Sequence, residues 1–338
     1  MQAEEKVQKL INTPEDFVEE MLEGVLLAHP GELRRLDGLP AVVRADAPVS
    51  GKVAIATGGG SGHLPLFMGY VGAGLADGAA IGNVFSSPSA SQMLAVIKAA
   101  HAGRGVLLLY GNYGGDVMNF GLAAELAEDE GIEVATVLAT DDIASAPKGE
   151  EARRRGIAGI SFLYKVAGAA AEEGHELARV KATTGRAAQR LRSFGVALSP
   201  CVIPAVGHAN FDLPAGEMEI GMGIHGEPGV RRGPLETADQ ITEHLVGALL
   251  DDLEHESGDR FDVLVNGLGS TPSEELYLIF RRLAHLLDQH GLAVRRAFVG
   301  EYATSLEMAG ASISLLRTDD ELARLVDAPA RSPLLSRL

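Results

Sequence analysis

Cys201 is the only cysteine in the sequence, and tryptophan is absent. A lone thiol forms neither an internal disulfide nor a thiolate metal cluster, so we interpret Cys201 as a small apolar residue of the core. The sequence also lacks any apolar run near the roughly 20 residues that are needed to cross a bilayer. Residues 1–11 mix acids and bases, whereas a secretory signal places basic residues before an apolar block. We therefore expect a cytoplasmic protein.

Positive charge is scarce as well. Lys and Arg number 29 against 46 Asp and Glu, which gives a formal net charge of −17 at pH 7. A surface of this sign repels phosphate backbones and anionic lipids, so nucleic acid and membranes are poor partners. The histidines outside the segments discussed below show no metal-ligand spacing, and we expect this chain to bind no metal.

Length and glycine content indicate a large ligand-binding body. A chain of 338 residues is typical of two domains or of one α/β body with two lobes. Glycine makes up 41 of these residues, about 12% against a typical ~7%. Because the sequence has no repeat or low-complexity segment, this excess indicates tight turns and close backbone approaches to a ligand.

Short apolar runs alternate with helical patterns, which is typical of mainly parallel sheets covered by helices. The predicted fold class is α/β, with two lobes built on mainly parallel or mixed sheets. We place the lobes at residues 1–185 and 186–338, with no flexible linker between them. The predicted helices are 14–29, 88–102, 116–130, 161–173, 176–194, 237–254, 273–290 and 319–326, and the predicted strands are 53–56, 106–109, 134–138, 217–224, 262–266, 292–299 and 311–316.

Three polar or glycine-rich segments each follow a predicted strand of the first lobe. They are GGGSGH at 58–63, GNYGGD at 111–116 and TDD at 140–142. Ligands of open parallel sheets bind beyond the carboxyl ends of the strands, so we expect these segments to line one rim. His63 and Asp116 are the candidate functional side chains there. A structural histidine and a helix-capping aspartate stay open as alternatives.

The GGGSGH segment does not match the known phosphate-binding loops. It lacks the Gly-Lys-Ser/Thr ending of a P-loop and the spacing of a dinucleotide fingerprint. We interpret it as a cradle for a small ligand, in which missing side chains let backbone N–H groups approach oxygens. The arginines at 153–155 are candidates to clamp an anion, but we favour a solvated basic stretch or a docking contact for them.

A second glycine pattern, at 221–226, does fit G-x-G-x-x-G. The prolines and glycines at 228–234 forbid the helix that a dinucleotide site requires, so we reject that interpretation. His225 then lies in a stiff turn at the end of a predicted strand, with Glu227 close enough to orient or charge-stabilise its ring. A purely structural turn histidine is the alternative.

Taken together and in this order, GGGSGH, GNYGGDVMNF at 111–120 and MGIHGEPG at 222–229 resemble the sugar-binding K subunit of the dihydroxyacetone kinase family, over essentially the whole chain. The resemblance implies one DhaK-type unit. It implies that His225 bonds to the ketone carbon of a short ketose as a hemiaminal, and that His63 and Asp116 bind the ketose and assist proton transfer. Which of these two is the general base stays open. The implied substrate-binding residues are Gly59, Gly60, Ser61, Gly62, His63, Gly111, Asp116 and His225.

The resemblance also implies partners. This chain would bind no cofactor itself, and a Mg-bound nucleotide, ATP or ADP, would lie on an L-type subunit or domain, with a phosphotransferase-system protein as the alternative phosphodonor. The K subunits of the family are homodimers, which we expect here. Gly111 stands where some members have a lysine, and the room this leaves favours a four-carbon ketose such as erythrulose beside dihydroxyacetone. A non-catalytic ketose-sensing co-regulator is the alternative outside kinase chemistry.

Overall fold

The computed structural model describes residues 9–335, and within that range the chain forms eight α-helices and two six-stranded β-sheets. The α/β fold class is thereby confirmed. Residues 1–8, which belong to the N-terminal segment considered above, lie outside the described residues. The helices are α1 (Phe17–Ala28), α2 (Ala90–Ala100), α3 (Gly114–Asp129), α4 (Ile160–Glu172), α5 (Leu177–Gln189), α6 (Ala238–Asp252), α7 (Ser273–Gln289) and α8 (Asp320–Asp327). Among residues 9–335, no helix combines the length and the apolar character that crossing a membrane takes.

The first sheet has the order β1-β2-β4-β3-β5-β6, and β3 to β6 run parallel. The carboxyl ends of β3, β5 and β6 therefore meet at one edge of the sheet, as the rim prediction requires. The strands are β1 (Leu33–Arg35), β2 (Ala41–Arg44), β3 (Ala54–Ser61), β4 (Gly78–Val84), β5 (Val106–Gly111) and β6 (Val134–Ala139).

The second sheet has the order β11-β10-β12-β7-β8-β9 and is mostly antiparallel, with only β10 and β11 running parallel within the described residues. The strands are β7 (Leu191–Ala197), β8 (Glu217–Ile220), β9 (Arg231–Pro234), β10 (Arg260–Gly267), β11 (Ala293–Gly300) and β12 (Gly310–Thr318).

Three predicted boundaries are wrong. The strand expected over 217–224 ends at Ile220, so residues 221–224 belong to the turn that carries His225. The helix expected over 176–194 ends at Gln189, and its last residues belong to β7, which is buried along its whole length. The strand expected over 53–56 continues to Ser61, so the glycines of 58–60 lie in β3 and not in a loop after it. Close neighbours explain why glycine is needed there, because a Cβ on Gly58 would lie 2.7 Å from the carbonyl oxygen of Ala80.

Helix α4 lies in a core that both sheets share. Its side chains are buried from Ile160 to Ala171, as expected of a helix that is apolar on all sides. The same core contains Ile55 of the first sheet and Leu264 of the second. The lobe boundary between residues 185 and 186 stays a prediction.

The segment after β12 returns to the first sheet. Helix α8 contributes Leu322 and Val326 to the shared core, and Leu335 joins them. The backbone N–H of Arg331 donates to the carbonyl oxygen of Ala73 at 2.9 Å. Residues 320–335 therefore form a strap that completes the packing of the N-terminal half.

Candidate active site

His63 lies just beyond the end of β3 and is 1% exposed. Its Nδ1 lies 2.7 Å from the carbonyl oxygen of Thr304, an acceptor, so the hydrogen-bond pattern assigns the proton to Nδ1. Phe85 stacks on the ring with centroids 4.9 Å apart. Burial, together with the charge of His225, lowers the pKa of His63 to about 3. His63 is thus a neutral ring near pH 7, with its Nε2 turned away from Thr304.

His225 faces His63 from the turn that follows β8. The two Nε2 atoms lie 3.0 Å apart. The Nδ1 of His225 lies 3.2 Å from a carboxylate oxygen of Glu227, whose other oxygen accepts the backbone N–H of His225 at 3.0 Å. Gly226, at φ 86°, makes this sharp turn possible because only glycine adopts that conformation freely. Glu227 therefore orients the ring so that Nε2 is the atom left for chemistry.

The carboxylate of Glu227 is held in its charged form. Burial alone would raise its pKa, but the hydrogen bond from His225 and the charges of His225 and Arg155 outweigh burial and hold the pKa at about 2. Arg155 lies 3.6 Å from Glu227 and 2.8 Å from Asp142. The sequence motif at 140–142 thus acts through Arg155 on the turn that carries His225.

Asp116 reaches the same place from the first turn of α3, whose N-cap is Tyr113 and not the aspartate. One carboxylate oxygen of Asp116 and the hydroxyl of Tyr113 are buried and have no hydrogen-bond partner within the described part of the chain. Burial raises the pKa of Asp116 to about 6. Buried polar atoms without partners carry a free-energy cost, which a polar ligand would remove.

These side chains enclose a small cavity, which we call the capture pocket. Its volume is about 20 Å³, close to the space of a single water molecule. The edge of the Tyr113 ring closes it against His225, with ring centroids 4.8 Å apart. The lining residues are Gly60, His63, Leu66, Phe67, Gly111, Tyr113, Asp116, Gly156, Ile160, Ile224 and His225.

The predicted site residues fall into two groups. The capture pocket brings together His63, His225, Asp116, Gly60 and Gly111. The remaining three glycine-cradle residues are placed differently: Ser61 and Gly62 line a neighbouring cavity, and the space over Gly59 holds the ring of Phe67.

The arginines of 153–155 have separate roles. Arg153 is exposed, whereas Arg154 is fully buried and donates to both carboxylate oxygens of Asp252 at 2.8 and 2.6 Å. Arg155 supports Glu227 as described above. None of the described His, Cys, Asp and Glu side chains forms a group of three or more that is arranged to hold a metal.

Several pocket residues escaped the sequence reasoning. Tyr113 lies inside a motif that was examined only for its glycines and its aspartate. Phe67 and Phe85 look like ordinary core residues in the sequence. Thr304 orients His63 through its backbone carbonyl oxygen, which every residue type has, so the sequence does not single it out.

The chain is similar to known proteins over nearly its whole length. The Dak1 domain family matches residues 23–334. An L-erythrulose kinase of Pectobacterium atrosepticum is 48% identical over 96% of this chain and 55% of its own length. The dihydroxyacetone-binding subunit DhaK of the PTS-dependent dihydroxyacetone kinase 2 of Listeria innocua is 43% identical over 97% of this chain and 98% of its own length. The chain spans little more than half the length of the erythrulose kinases that it matches.

Two solved structures share the fold closely. The native dihydroxyacetone kinase of C. freundii superimposes with a TM-score of 0.86 at 34% identity, over 97% of this chain and 60% of that one. The dihydroxyacetone kinase operon co-activator Dha-DhaQ superimposes with a TM-score of 0.87 at 33% identity, over 92% of this chain and 96% of that one.

Proposed function

This chain belongs to the Dak1 domain family, and from that premise we propose that it captures a short ketose covalently on His225 so that a partner can phosphorylate the sugar. The observation that carries the proposal is the orientation of His225. Glu227 holds Nδ1, which leaves Nε2 facing His63 inside the capture pocket. A ring nitrogen fixed in this way is a nucleophile aimed at one point.

The capture step needs one bond and one proton. The Nε2 lone pair of His225 adds to the ketone carbon, a C–N bond forms, and the carbonyl π pair moves to oxygen. His63, after taking the proton that lies between the two Nε2 atoms, returns it to that oxygen. The product is a hemiaminal on an imidazolium ring, whose positive charge Glu227 balances. An alcohol carbon offers no π bond to attack, so glycerol is not captured.

The phosphorylation step uses Asp116, another residue of the pocket lining. The adduct holds the terminal hydroxyl in place, and phosphoryl transfer depends mainly on such positioning. Asp116, with its partnerless oxygen and a pKa of about 6, is suited to take the hydroxyl proton near pH 7. We assign the general base to Asp116 and the proton of the capture step to His63.

We assign the phosphodonor to a partner. The C. freundii kinase, of which this chain matches 60%, was solved with AMP-PNP and Mg²⁺. The curated relatives include subunits of PTS-dependent and of PEP-dependent kinases. We therefore propose an L-type domain or subunit that carries a Mg-nucleotide and lies over the capture pocket, with this chain acting as a homodimer.

Intact-protein mass spectrometry under conditions that preserve the adduct tests the capture step. We expect one ketose per chain after incubation with dihydroxyacetone or L-erythrulose, and no adduct in His225→Ala. His208→Ala is the matched control, because His208 is an exposed histidine and its removal should leave the adduct intact. An adduct that survives in His225→Ala would place the nucleophile elsewhere.

A ketose sensor is the second candidate, because the co-activator Dha-DhaQ has the same fold. The two candidates differ in the use of Asp116, since sensing needs no general base. With ATP, Mg²⁺, ketose and an L-type protein, a kinase component yields sugar phosphate and Asp116→Asn yields far less. A chain that forms the adduct but gives no product with any L-type partner would be a sensor.

The ketose itself is best assigned as a class. A Cβ on Gly111 would lie 3.1 Å from the Tyr113 ring, so the tyrosine occupies part of the room that the glycine leaves. Erythrulose kinases among the relatives favour a four-carbon ketose. Comparison of kcat/KM for dihydroxyacetone, D-erythrulose and L-erythrulose with the partner present decides between them. One methylene-sized group is worth only about 1–3 kcal/mol in such discrimination.

A further inference from the structure

A second cavity adjoins the capture pocket, and Phe67 forms part of the wall between them. This apolar cavity, as we call it, has a volume of about 180 Å³, against about 20 Å³ for the capture pocket. Gly60, His63, Leu66 and Phe67 line both spaces. The apolar cavity is otherwise lined by Phe17, Met21, Ser61, Gly62, Leu64, Thr304 and Leu306.

The ring of Phe67 occupies the glycine cradle. An ideal Cβ on Gly59 would lie 2.2 Å from the ring, so the Phe67 side chain covers the backbone where a ligand would otherwise approach. Its ring meets His63 edge-on, with centroids 6.3 Å apart. The capture pocket is small because this ring fills the space next to it, and a ketose is several times larger than one water.

The backbone at Phe67 is strained. Its φ is 65°, in the left-handed region that bulky residues rarely adopt. Only three non-glycine residues within 9–335 have positive φ, and the other two, Phe85 and Leu306, also border the site. Strain of this kind persists where the surrounding structure enforces it, and it concentrates at binding sites and switches.

The two cavities differ in the polarity of their lining residues, and each suits a different occupant. The apolar cavity offers side chains such as Met21 and Leu306 but few polar groups, so ketose hydroxyls would lose their hydrogen bonds there. The ring of Phe67 has no hydrogen bonds to lose when it enters the apolar cavity. Tyr113 and Asp116 line the capture pocket, and each has one buried oxygen without a hydrogen-bond partner among the described residues, which suits the hydroxyls of a ketose.

We propose that Phe67 is a gate: its ring swings from the glycine cradle into the apolar cavity when a ketose enters, and the room that it vacates sets the length of ketose that the chain accepts. The inference rests on the proposed capture function. It makes Phe67 a specificity-determining residue, because a four-carbon ketose requires the full displacement of the ring, whereas a three-carbon ketose requires less.

Because the sequence contains no tryptophan, the fluorescence of one introduced tryptophan reports on its own surroundings alone. Phe17 lines the apolar cavity on the side of α1, so Phe17→Trp places the only tryptophan where the Phe67 ring would arrive. We expect L-erythrulose to change its emission with the same half-saturation as adduct formation measured by mass. Leu27→Trp is the control, because Leu27 is exposed on the same helix and should report no change.

The double variant Phe17→Trp with Phe67→Ala separates the gate from the capture. We expect it to form the adduct without a change in emission, since no ring moves. An emission change that persists in the double variant, or an adduct in Phe17→Trp without any emission change, would overturn the gate and leave capture standing. Failure of the wild-type chain to form an adduct would instead overturn the proposed function itself.

Two further variants test the gate without a fluorophore. Met21→Phe narrows the apolar cavity from the side away from the capture pocket, and we expect it to slow adduct formation with L-erythrulose more than with dihydroxyacetone. Phe67→Ala removes the gate and should raise the rate for L-erythrulose relative to dihydroxyacetone by about tenfold. Unchanged relative rates in both variants would contradict a role of Phe67 in selecting the ketose.

Discussion

The Nε2 atoms of His63 and His225 lie 3.0 Å apart while each ring offers its Nδ1 to an acceptor, Thr304 in one case and Glu227 in the other. With a proton on each Nδ1, two neutral rings would point lone pairs at each other. One further proton between the rings turns this contact into a hydrogen bond. The pKa of His63, about 3, means that its Nε2 holds no proton of its own near pH 7, so His63 is the acceptor in this contact.

The contact between the two Nε2 atoms predicts that His63 moves the proton of the capture step. His63→Phe keeps an aromatic ring but has no nitrogen to take the proton from the attacking ring and return it to the ketone oxygen. In His63→Phe we therefore expect adduct formation to be about 10²-fold slower. Rapid-quench mass spectrometry provides the rates. An unchanged rate in His63→Phe would contradict the role of His63 in the proton transfer.

Glu227→Gln should slow capture more than about tenfold, since the amide keeps the size of the side chain but loses the charge that holds Nδ1 protonated. The rate of adduct formation at saturating ketose is the measurement. Glu236→Gln is a matched control, because Glu236 contacts His244 at 2.9 Å in a second His–Glu pair away from the pocket. Equal losses in the two variants would mean that the effect is not specific to His225.

Asp116→Asn should stabilise the fold at alkaline pH. Burial raises the pKa of Asp116 from 3.8 to about 6, so ionisation is harder in the folded than in the unfolded chain. Ionised Asp116 therefore destabilises the folded chain. This loss of stability is absent below about pH 4 and complete above pH 6, where it amounts to roughly 3 kcal/mol. Urea unfolding at pH 4 and pH 8 should therefore show a gain only at pH 8. Asp129→Asn, at an exposed position of the same helix, should give no such difference.

Asp252→Ala should cost about 3–5 kcal/mol in the free energy of unfolding, because it removes the carboxylate that pairs with the fully buried Arg154 and with Arg192 and leaves Arg154 only the carbonyl oxygen of Ala146 among the described residues. Asp239→Ala is the matched control, because Asp239 lies on the same helix as Asp252 and pairs with Arg281. That pair is exposed, so its loss should cost less than about 1 kcal/mol. Denaturant unfolding of both variants provides the comparison. Similar small losses would mean that Arg154 finds another acceptor.

The residues of the candidate site were predicted from the sequence more accurately than the ends of the helices and strands. His63 and Asp116 were found because polar residues after buried strands meet at a sheet edge. His225 was found from its stiff turn and from the resemblance of MGIHGEPG to the family motif, and the structure brings all three to one pocket. Strand β4 was missed because its GAAIGNV sequence has few of the β-branched and aromatic residues that favour strands. Strand β7 was missed because helical residues continue into it without a break.

Other features depend on contacts between distant segments. The role of Phe67 follows from its position over Gly59 and from a backbone angle, neither of which a pattern in the sequence reveals. Thr304 acts through its backbone, more than two hundred positions from the histidine that it orients. Arg155 appeared as one of three similar arginines, and only burial and partners separate their roles.

The strap of residues 320–335 bears on how the protein is made. Synthesis runs from the N-terminus, and N-terminal domains commonly fold while the ribosome is still working. Here the shared core takes Leu322 and Leu335 from the strap, and Arg331 pairs with Ala73 in the first half. The N-terminal half therefore leaves the ribosome with an apolar face uncovered until the strap emerges. An apolar face that is uncovered during synthesis favours aggregation, so we expect this interval to be the one in which the nascent chain is most prone to it.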